Sequence, residues 1–468
     1  MKRESKLLIF PLALLIIYSS FFLVFNKKPP LTSPDEVNHF SRSAALANGY
    51  FTLVGQPNSG GEIDNAIIEA GAAEKAIENS FNPQDFSNYV NKLQDLTFTG
   101  SNAFYAMPNV AYYFPAVYTP QAVTIAIAEK AGLTFYQTYF FASTVTFTVS
   151  LLIILLAWRI YPIPPLALAT LILPMSLYQL FSPTIDGLSI SFAILTMSIF
   201  MNLVKNPVSE KYNSLVTLMS IFIFFLAGSR ANLLPFVLLP LWLFGLNKRK
   251  INLVWFVVTT VAVLGWTVFA LKTTHNTVVT LHPGVEATDV IKYYISHPLE
   301  VIKVLVHTLT DAKLVATYFI TFIGLLGVLD STIRIEFTVI FAVFIIFMIL
   351  KTFVKDRVVS EKWTAWIIIL ITIAAVFLIF LALLAQWSPF PAVEVAGVQG
   401  RYFLIPLAML AYAFKFNYSN PKAYFWPLAI AFVLSVAAIY VSMADRYASN
   451  ITESSRIIYH SQNRYFLW

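Results

Sequence analysis

The chain has 468 residues, 58% hydrophobic and only 12% charged, whereas soluble domains carry about 25% charged residues; three soluble domains of about 150 residues each would lack the charge to cover their surfaces. A mean hydropathy of +0.71 and repeated apolar runs of about 20 residues point to a polytopic membrane protein. With no cysteine it can form no disulfide, thiolate metal site or Cys nucleophile, and its +7 charge lies mainly between the apolar runs, which is a mark of membrane topology and not of a nucleic-acid partner.

The first apolar run, Leu7–Phe25, follows a basic start and lacks a small-x-small cleavage site before Lys27-Lys28-Pro29-Pro30. It reads as an uncleaved transmembrane helix with its N-terminus in the cytoplasm. Residues 27–135 are polar and form a large external loop. Within it, Glu62 to Ser80 reads as a soluble helix, and Val117 to Ala131, short and carrying Glu129 and Lys130, as an interfacial one. Further spans are expected at Tyr136–Trp158, Ile163–Phe181, Gly187–Val204, Ser214–Ala227, Leu233–Leu246, Ile251–Leu271, Ile335–Leu350, Trp363–Gln386, Tyr402–Phe414 and Tyr424–Met443. The fold class is therefore an all-α polytopic membrane protein of about 11 (11–13) transmembrane helices. Val315–Leu329 is open between a further span and a re-entrant piece.

The layout is a first helix (1–26), the large loop with juxtamembrane helices (27–135), helices two to seven (136–271), an external loop (272–334), C-terminal helices (335–443) and an external tail (444–468). Nearly half of the 31 Lys and Arg then crowd into the short cytoplasmic connections, which supports N-in, C-out. All six histidines and most acids fall outside, so ionisable chemistry belongs to the external face.

Three motifs there can carry chemistry. Ser33-Pro-Asp-Glu-Val-Asn-His-Phe-Ser-Arg42 follows the first span. Ser33 or Asp35 can cap a helix starting near Glu36, and Asp35, His39 and Arg42 share one face of it. That suits an acid/base and anion-binding cluster; it also suits a solvated helix cap. Ser182-Pro-Thr-Ile-Asp186 sits at a span boundary, where Asp186 is either a cap or the second acid of a two-carboxylate or metal-assisted site. Gly400-Arg401-Tyr402 opens a span on the outer side, and Arg230 occupies a similar place. Two arginines there can grip a phosphate at headgroup level or simply snorkel. Tyr112 to Gln121, including Tyr118, either lines a groove for a sugar or isoprenoid or anchors the interface. No P-loop or G-x-G-x-x-G is present.

Together, Pro34-Asp-Glu-x-x-His-Phe-x-Arg42, Tyr118-x-Pro-Gln121, Ser182-x-x-x-Asp186 and Gly400-Arg-Tyr-Phe-x-x-Pro406 resemble a bacterial family of membrane proteins catalogued as domain of unknown function 2142, itself similar to the GT-C glycosyltransferases. The resemblance covers most of the chain in order. It implies a transferase that takes sugar from a polyprenyl-phosphate donor at the outer face of the cell membrane and passes it, with inversion, to a glycan or lipid acceptor. Asp35 and Glu36 would match the family's first-loop acids, with Asp35 as general base, and Asp186 its second acid. Arg401 and Arg230 would meet the phosphate. Glu36, His39 and Asp186 would orient the acceptor, or Asp35, Glu36 and Asp186 would hold a divalent cation, Mg or Mn. Asp186 has no neighbouring acid, which leaves metal dependence open. A lipid-linked glycan polymerase, a flippase or transporter for a lipid-linked glycan, and a non-catalytic membrane scaffold are the competing readings.

Overall fold

The computed structural model describes residues 3–276, 287–355, 362–414 and 422–448; most of the expected C-terminal tail lies outside the described residues. The architecture is all-helical apart from two small two-stranded antiparallel sheets. Among the described residues, seven helices are long and apolar enough to cross a membrane, and four shorter apolar helical stretches accompany them, at Leu12–Phe25 (within the helix Arg3–Phe25), Ala231–Asn247, Ala312–Gly324 and Gly400–Ala413.

The polar segment after the first helix folds as a small domain on one face of the bundle. The helix Glu36–Ala47 is followed by the strand Gly60–Asp64, the helices Asn65–Ile77 and Pro83–Asp95, and the strand Asn102–Ala106. The strands pair with Gly60 opposite Ala106 and Asp64 opposite Asn102. The expected helix from Glu62 to Ser80 is thus strand to Asp64 and helix only from Asn65. Asp64 makes the switch: its carboxylate caps Ala66 N at 2.8 Å and also accepts from Thr99 N and Gly100 N, so one side chain fixes both the helix start and the return loop. In Pro83–Asp95 the spacing of Phe86, Tyr89 and Leu93 puts one buried stripe against the bundle. Tyr89 OH donates to Pro30 O at 2.9 Å, tying that helix to the turn that follows the first helix. Arg446 of the helix Lys422–Tyr447 donates to Asp330 Oδ2 and to the carbonyls of Ser80 and Glu78, which staples that helix to the same small domain.

The bundle centre is Ile185–Lys205, buried along nearly its whole length. It packs on Phe135–Ile160, whose start is fixed by a capping box between Thr134 and Gln137, and on Tyr212–Ser229. Three expected spans are not single helices. Ile163–Phe181 is two helices, Pro165–Leu171 and Pro174–Leu180, because Pro174 has no N–H to continue the ladder. Leu233–Leu246 begins as a 3-10 turn, Ala231–Val237, with Pro235 inside it. Tyr402–Phe414 is a 3-10 turn, a short α-helix and a second 3-10 turn. Val315–Leu329 resolves as the end of helix Ala312–Gly324, about 20 Å long at 1.5 Å per residue, followed by a hairpin that pairs Leu325–Leu326 with Ser331–Thr332. That helix is too short to cross a hydrocarbon core of about 30 Å.

Candidate functional site

The site assembles at span ends on the face that carries the small domain. Asp35 stands immediately before Glu36–Ala47, in the N-cap position, but it does not cap. Its backbone is left-handed, with φ of 59°, a conformation Asp tolerates better than most residues at some cost in strain. The carboxylate is left half-exposed and is met by Arg401 Nη2 at 2.5 Å. Glu36 takes over the local bonding instead, accepting from Ser33 N at 2.8 Å.

Asp186 lies in the first turn of Ile185–Lys205, where the helix dipole favours a carboxylate. The turn is pressed against Pro174–Leu180: a Cβ on Gly187 would come within 2.9 Å of Leu180 Cα and 3.0 Å of Gln179 O, so only glycine allows this approach. Asp186 accepts from Arg401 Nη1 at 3.3 Å and pairs through its other oxygen with Arg230. Arg230 caps the end of Tyr212–Ser229. Arg401 opens the 3-10 turn Gly400–Phe403, is almost fully buried, and is steered by a 2.6 Å bond from its Nε to Gln399 Oε1. Gly400 itself lies so close to the backbone of Tyr318 and Phe322 that a side chain there would overlap both.

The result is a run of alternating charges, Asp35, Arg401, Asp186, Arg230, drawn from four remote stretches. Tyr402 flanks it, with the Arg401 guanidinium 5.3 Å from its ring centroid. His39 Nδ1 shares a 2.8 Å hydrogen bond with Tyr118 OH, and its ring stacks on Tyr113 at 6.0 Å. Burial pushes His39 down to about 3, outweighing the pull of Asp35, so the imidazole is neutral at physiological pH. Burial also pushes the Asp35 carboxyl up, but the positive charges around it, Arg401 foremost and Arg230 with it, together hold it below the usual carboxylate range.

The other expected residues do different work. Gln121 sits behind the site and donates to Thr184 O at 3.3 Å, bracing the turn that carries Asp186. Arg42 turns away: its guanidinium donates to Tyr50 O and Phe51 O at 2.9 and 2.7 Å, holding the loop after its own helix and leaving no fork for a phosphate. Glu36 is not a partner of Asp35. It is fully buried against Lys28 Nζ, at 2.8 Å, and Tyr139 OH, at 2.9 Å. Lys28 also reaches Ser182 Oγ, and Ser33 Oγ bonds Ser182 Oγ at 2.6 Å. This network, absent from the sequence reading, welds the turn before Asp35 to the turn before Asp186. Its one visible signal was Lys28, which the basic flank Lys27-Lys28 disguised as topology. Tyr113 was likewise hidden in a run of aromatics.

A divalent cation does not fit these residues. Arg401 stands between Asp35 and Asp186, and Glu36 is engaged elsewhere. Among the described residues no three His, Asp or Glu side chains gather to hold a metal. The expected metal set of Asp35, Glu36 and Asp186 is corrected accordingly.

The four charges draw on residues 35, 186, 230 and 401, all within 19–411, the stretch matched by the sequence profile of a family described as a predicted membrane protein (DUF2142). The chain belongs to this family. No curated protein matches it. Both carboxylates and both arginines thus lie within the stretch the DUF2142 profile matches, whereas Arg446 lies beyond it.

Proposed function

We propose that the chain is a membrane glycosyltransferase of GT-C type, with about eleven crossings, its N-terminus in the cytoplasm and its site on the outer face, moving a sugar from a polyprenyl-phosphate donor to a cell-surface glycan or lipid. The observation that carries this reading is the meeting of Asp35, Asp186, Arg230 and Arg401 in one cluster at the ends of apolar helices. The acceptor hydroxyl attacks the anomeric carbon, its proton passes to the Asp35 carboxylate, and the bond to the lipid phosphate breaks with its electron pair going to the phosphate. Arg401 and Arg230 meet the charge that develops there, a preorganised contribution on the order of 3–4 kcal/mol. Holding base, acceptor and donor together contributes up to about 7–11 kcal/mol.

The resting ion pairs fit this sequence of events. Arg401 keeps Asp35 a weak base until an incoming phosphate competes for the guanidinium, at which point the carboxylate gains basicity where it is needed. No nucleotide is required, because the donor bond is already activated.

Purified protein in vesicles, given a panel of polyprenyl-phosphate sugars and assayed for released polyprenyl phosphate, tests the reading. Asp35→Asn abolishes release while the protein still inserts and folds; parental turnover in that variant removes Asp35 from the role. Arg401→Ala weakens donor binding more than acceptor binding, and equal loss of both argues against the assignment. A second reading, movement of a lipid-linked glycan across the membrane, draws on the break between Pro165–Leu171 and Pro174–Leu180. That break carries no Asp, Glu, Lys, Arg or His, which favours the transferase. Translocation without any sugar-transfer product would reverse the order.

A further inference from the structure

Two short helices outside the charged cluster, Ala287–Ser296 and Pro298–Thr310, each present three sides where a soluble amphipathic helix presents two. On Pro298–Thr310, Val304, Leu305 and Thr308 are buried in the fold. Leu299, Ile302, Val306 and Leu309, spaced three, four and three residues apart, form an apolar side that is 53–70% exposed. Lys303, His307 and Thr310, with the partly exposed Glu300, form a separate polar side. At 100° per residue these are three adjoining arcs of one helix. Ala287–Ser296 repeats the pattern: Val290 and Tyr294 buried, Ile291 and Ile295 exposed and apolar, Asp289, Lys292 and Ser296 exposed and polar.

A helix surrounded by water has no use for a row of four exposed aliphatic side chains. A helix crossing the bilayer would carry Glu300 and Lys303 into hydrocarbon. A helix lying in the membrane plane, with protein on one flank, water on a second and acyl chains on the third, satisfies all three sides. We propose that these two helices are an in-plane membrane anchor, seated with its aliphatic side in the acyl chains just below the headgroups and holding the loop that delivers Arg401 at that depth.

The packing fixes that level. The buried sides join Phe380 and Leu384, near the end of the long span Lys362–Gln386, in one cluster with Val395 and Val398. On the same face of that span, one to two turns before Phe380, Phe377 and Ile373 are exposed and apolar. Backbone bonds connect the anchor to the loop leading to Arg401: Ala392 N donates to Tyr294 OH at 3.1 Å and Val395 N to Thr308 Oγ at 2.9 Å. Gly400 N then donates to Thr321 Oγ on the next helix at 2.7 Å. Acids and lysines balance along the segment, Asp289, Glu300 and Asp311 against Lys292, Lys303 and Lys313. Apolar burial, and not attraction to anionic headgroups, is therefore the driving term.

The chain has no cysteine, so single-cysteine variants report one position each. Ile295→Cys, Ile302→Cys and Val306→Cys sample the lipid side and Lys303→Cys the water side; all four positions are exposed, so folding is not at stake. Each is labelled with an environment-sensitive fluorophore and reconstituted into phosphatidylcholine vesicles with iodide on both sides. The three lipid-side labels are expected to be quenched several-fold more by lipid bearing a nitroxide near the headgroup than by lipid bearing it at the chain end, and to be shielded from iodide. The Lys303 label shows the reverse preference, iodide over lipid. Iodide reaching the Ile302 and Val306 labels as freely as the Lys303 label overturns the proposal. So does stronger quenching from the chain end, which marks a crossing helix, or shielding from both quenchers, which marks cover by a second copy of the chain.

Discussion

The buried pair Lys28–Glu36 offers the sharpest test of how the site is built. The two side chains are 1% and 0% exposed and 2.8 Å apart. Lys28→Met leaves the Glu36 carboxylate without its cation, and an uncompensated buried charge of this kind costs about 3–5 kcal/mol. Glu36 keeps its bonds to Tyr139 OH and Ser33 N, so the low end, about 3 kcal/mol, is expected. Glu36→Gln strands Lys28 in the same way, with Tyr139 OH and Ser182 Oγ as its remaining partners. The double variant Lys28→Met/Glu36→Gln removes both charges at once and is expected to be more stable than the sum of the singles by about 2 kcal/mol or more. Equilibrium unfolding in mixed micelles titrated with dodecyl sulfate measures all four proteins. Singles within about 0.5 kcal/mol of the parent, or a strictly additive double, would refute the structural role of Glu36 and return it to the candidates for catalysis.

Gly400→Ala forces a methyl into the backbone of Tyr318 and Phe322; a loss of about 1–3 kcal/mol in the same unfolding assay is expected, in line with overpacked sites. Acid destabilises through His39. Its folded pKa of about 3 lies below the ordinary 6.5, so its contribution is present above 6.5 and is lost as pH falls toward 3; going from pH 7.5 to 5 removes on the order of 2 kcal/mol. His39→Gln flattens that limb, and an unchanged acid limb in the variant would exclude His39 as its source. Glu74 acts at the other end. Burial first, then the charges of Glu78, Glu36 and Asp330, push it up to about 8. Its contribution is complete below about 4.5 and is lost as pH rises through 8. Melting curves at pH 6 and 9 should converge in Glu74→Gln and stay apart in the parent.

How far the sequence carried the site depends on the residue. Asp186 and Arg401 were legible because a charge at the mouth of an apolar run is costly unless something uses it. Asp35 was legible as an acid, yet the pairing of Asp35 with Glu36 was misleading: neighbours in a chain leave a helix start in different directions, one toward Arg401 and the other into the core. Arg42 shares a helical face with His39, as its spacing requires, but its long side chain reaches past that face to the carbonyls of Tyr50 and Phe51.

The chain's apolar periodicity and charge spacing were enough to establish an all-helical membrane protein and to locate nearly every long helix within a few residues, because transfer of apolar surface and the placement of basic residues are local, additive properties of a segment. Folding alone decided that Glu36 is buried against Tyr139 and that Asp35, Asp186, Arg230 and Arg401 neutralise one another. Those outcomes turn on contacts between stretches up to 366 residues apart, and no short-range pattern encodes which distant charge a buried guanidinium will face.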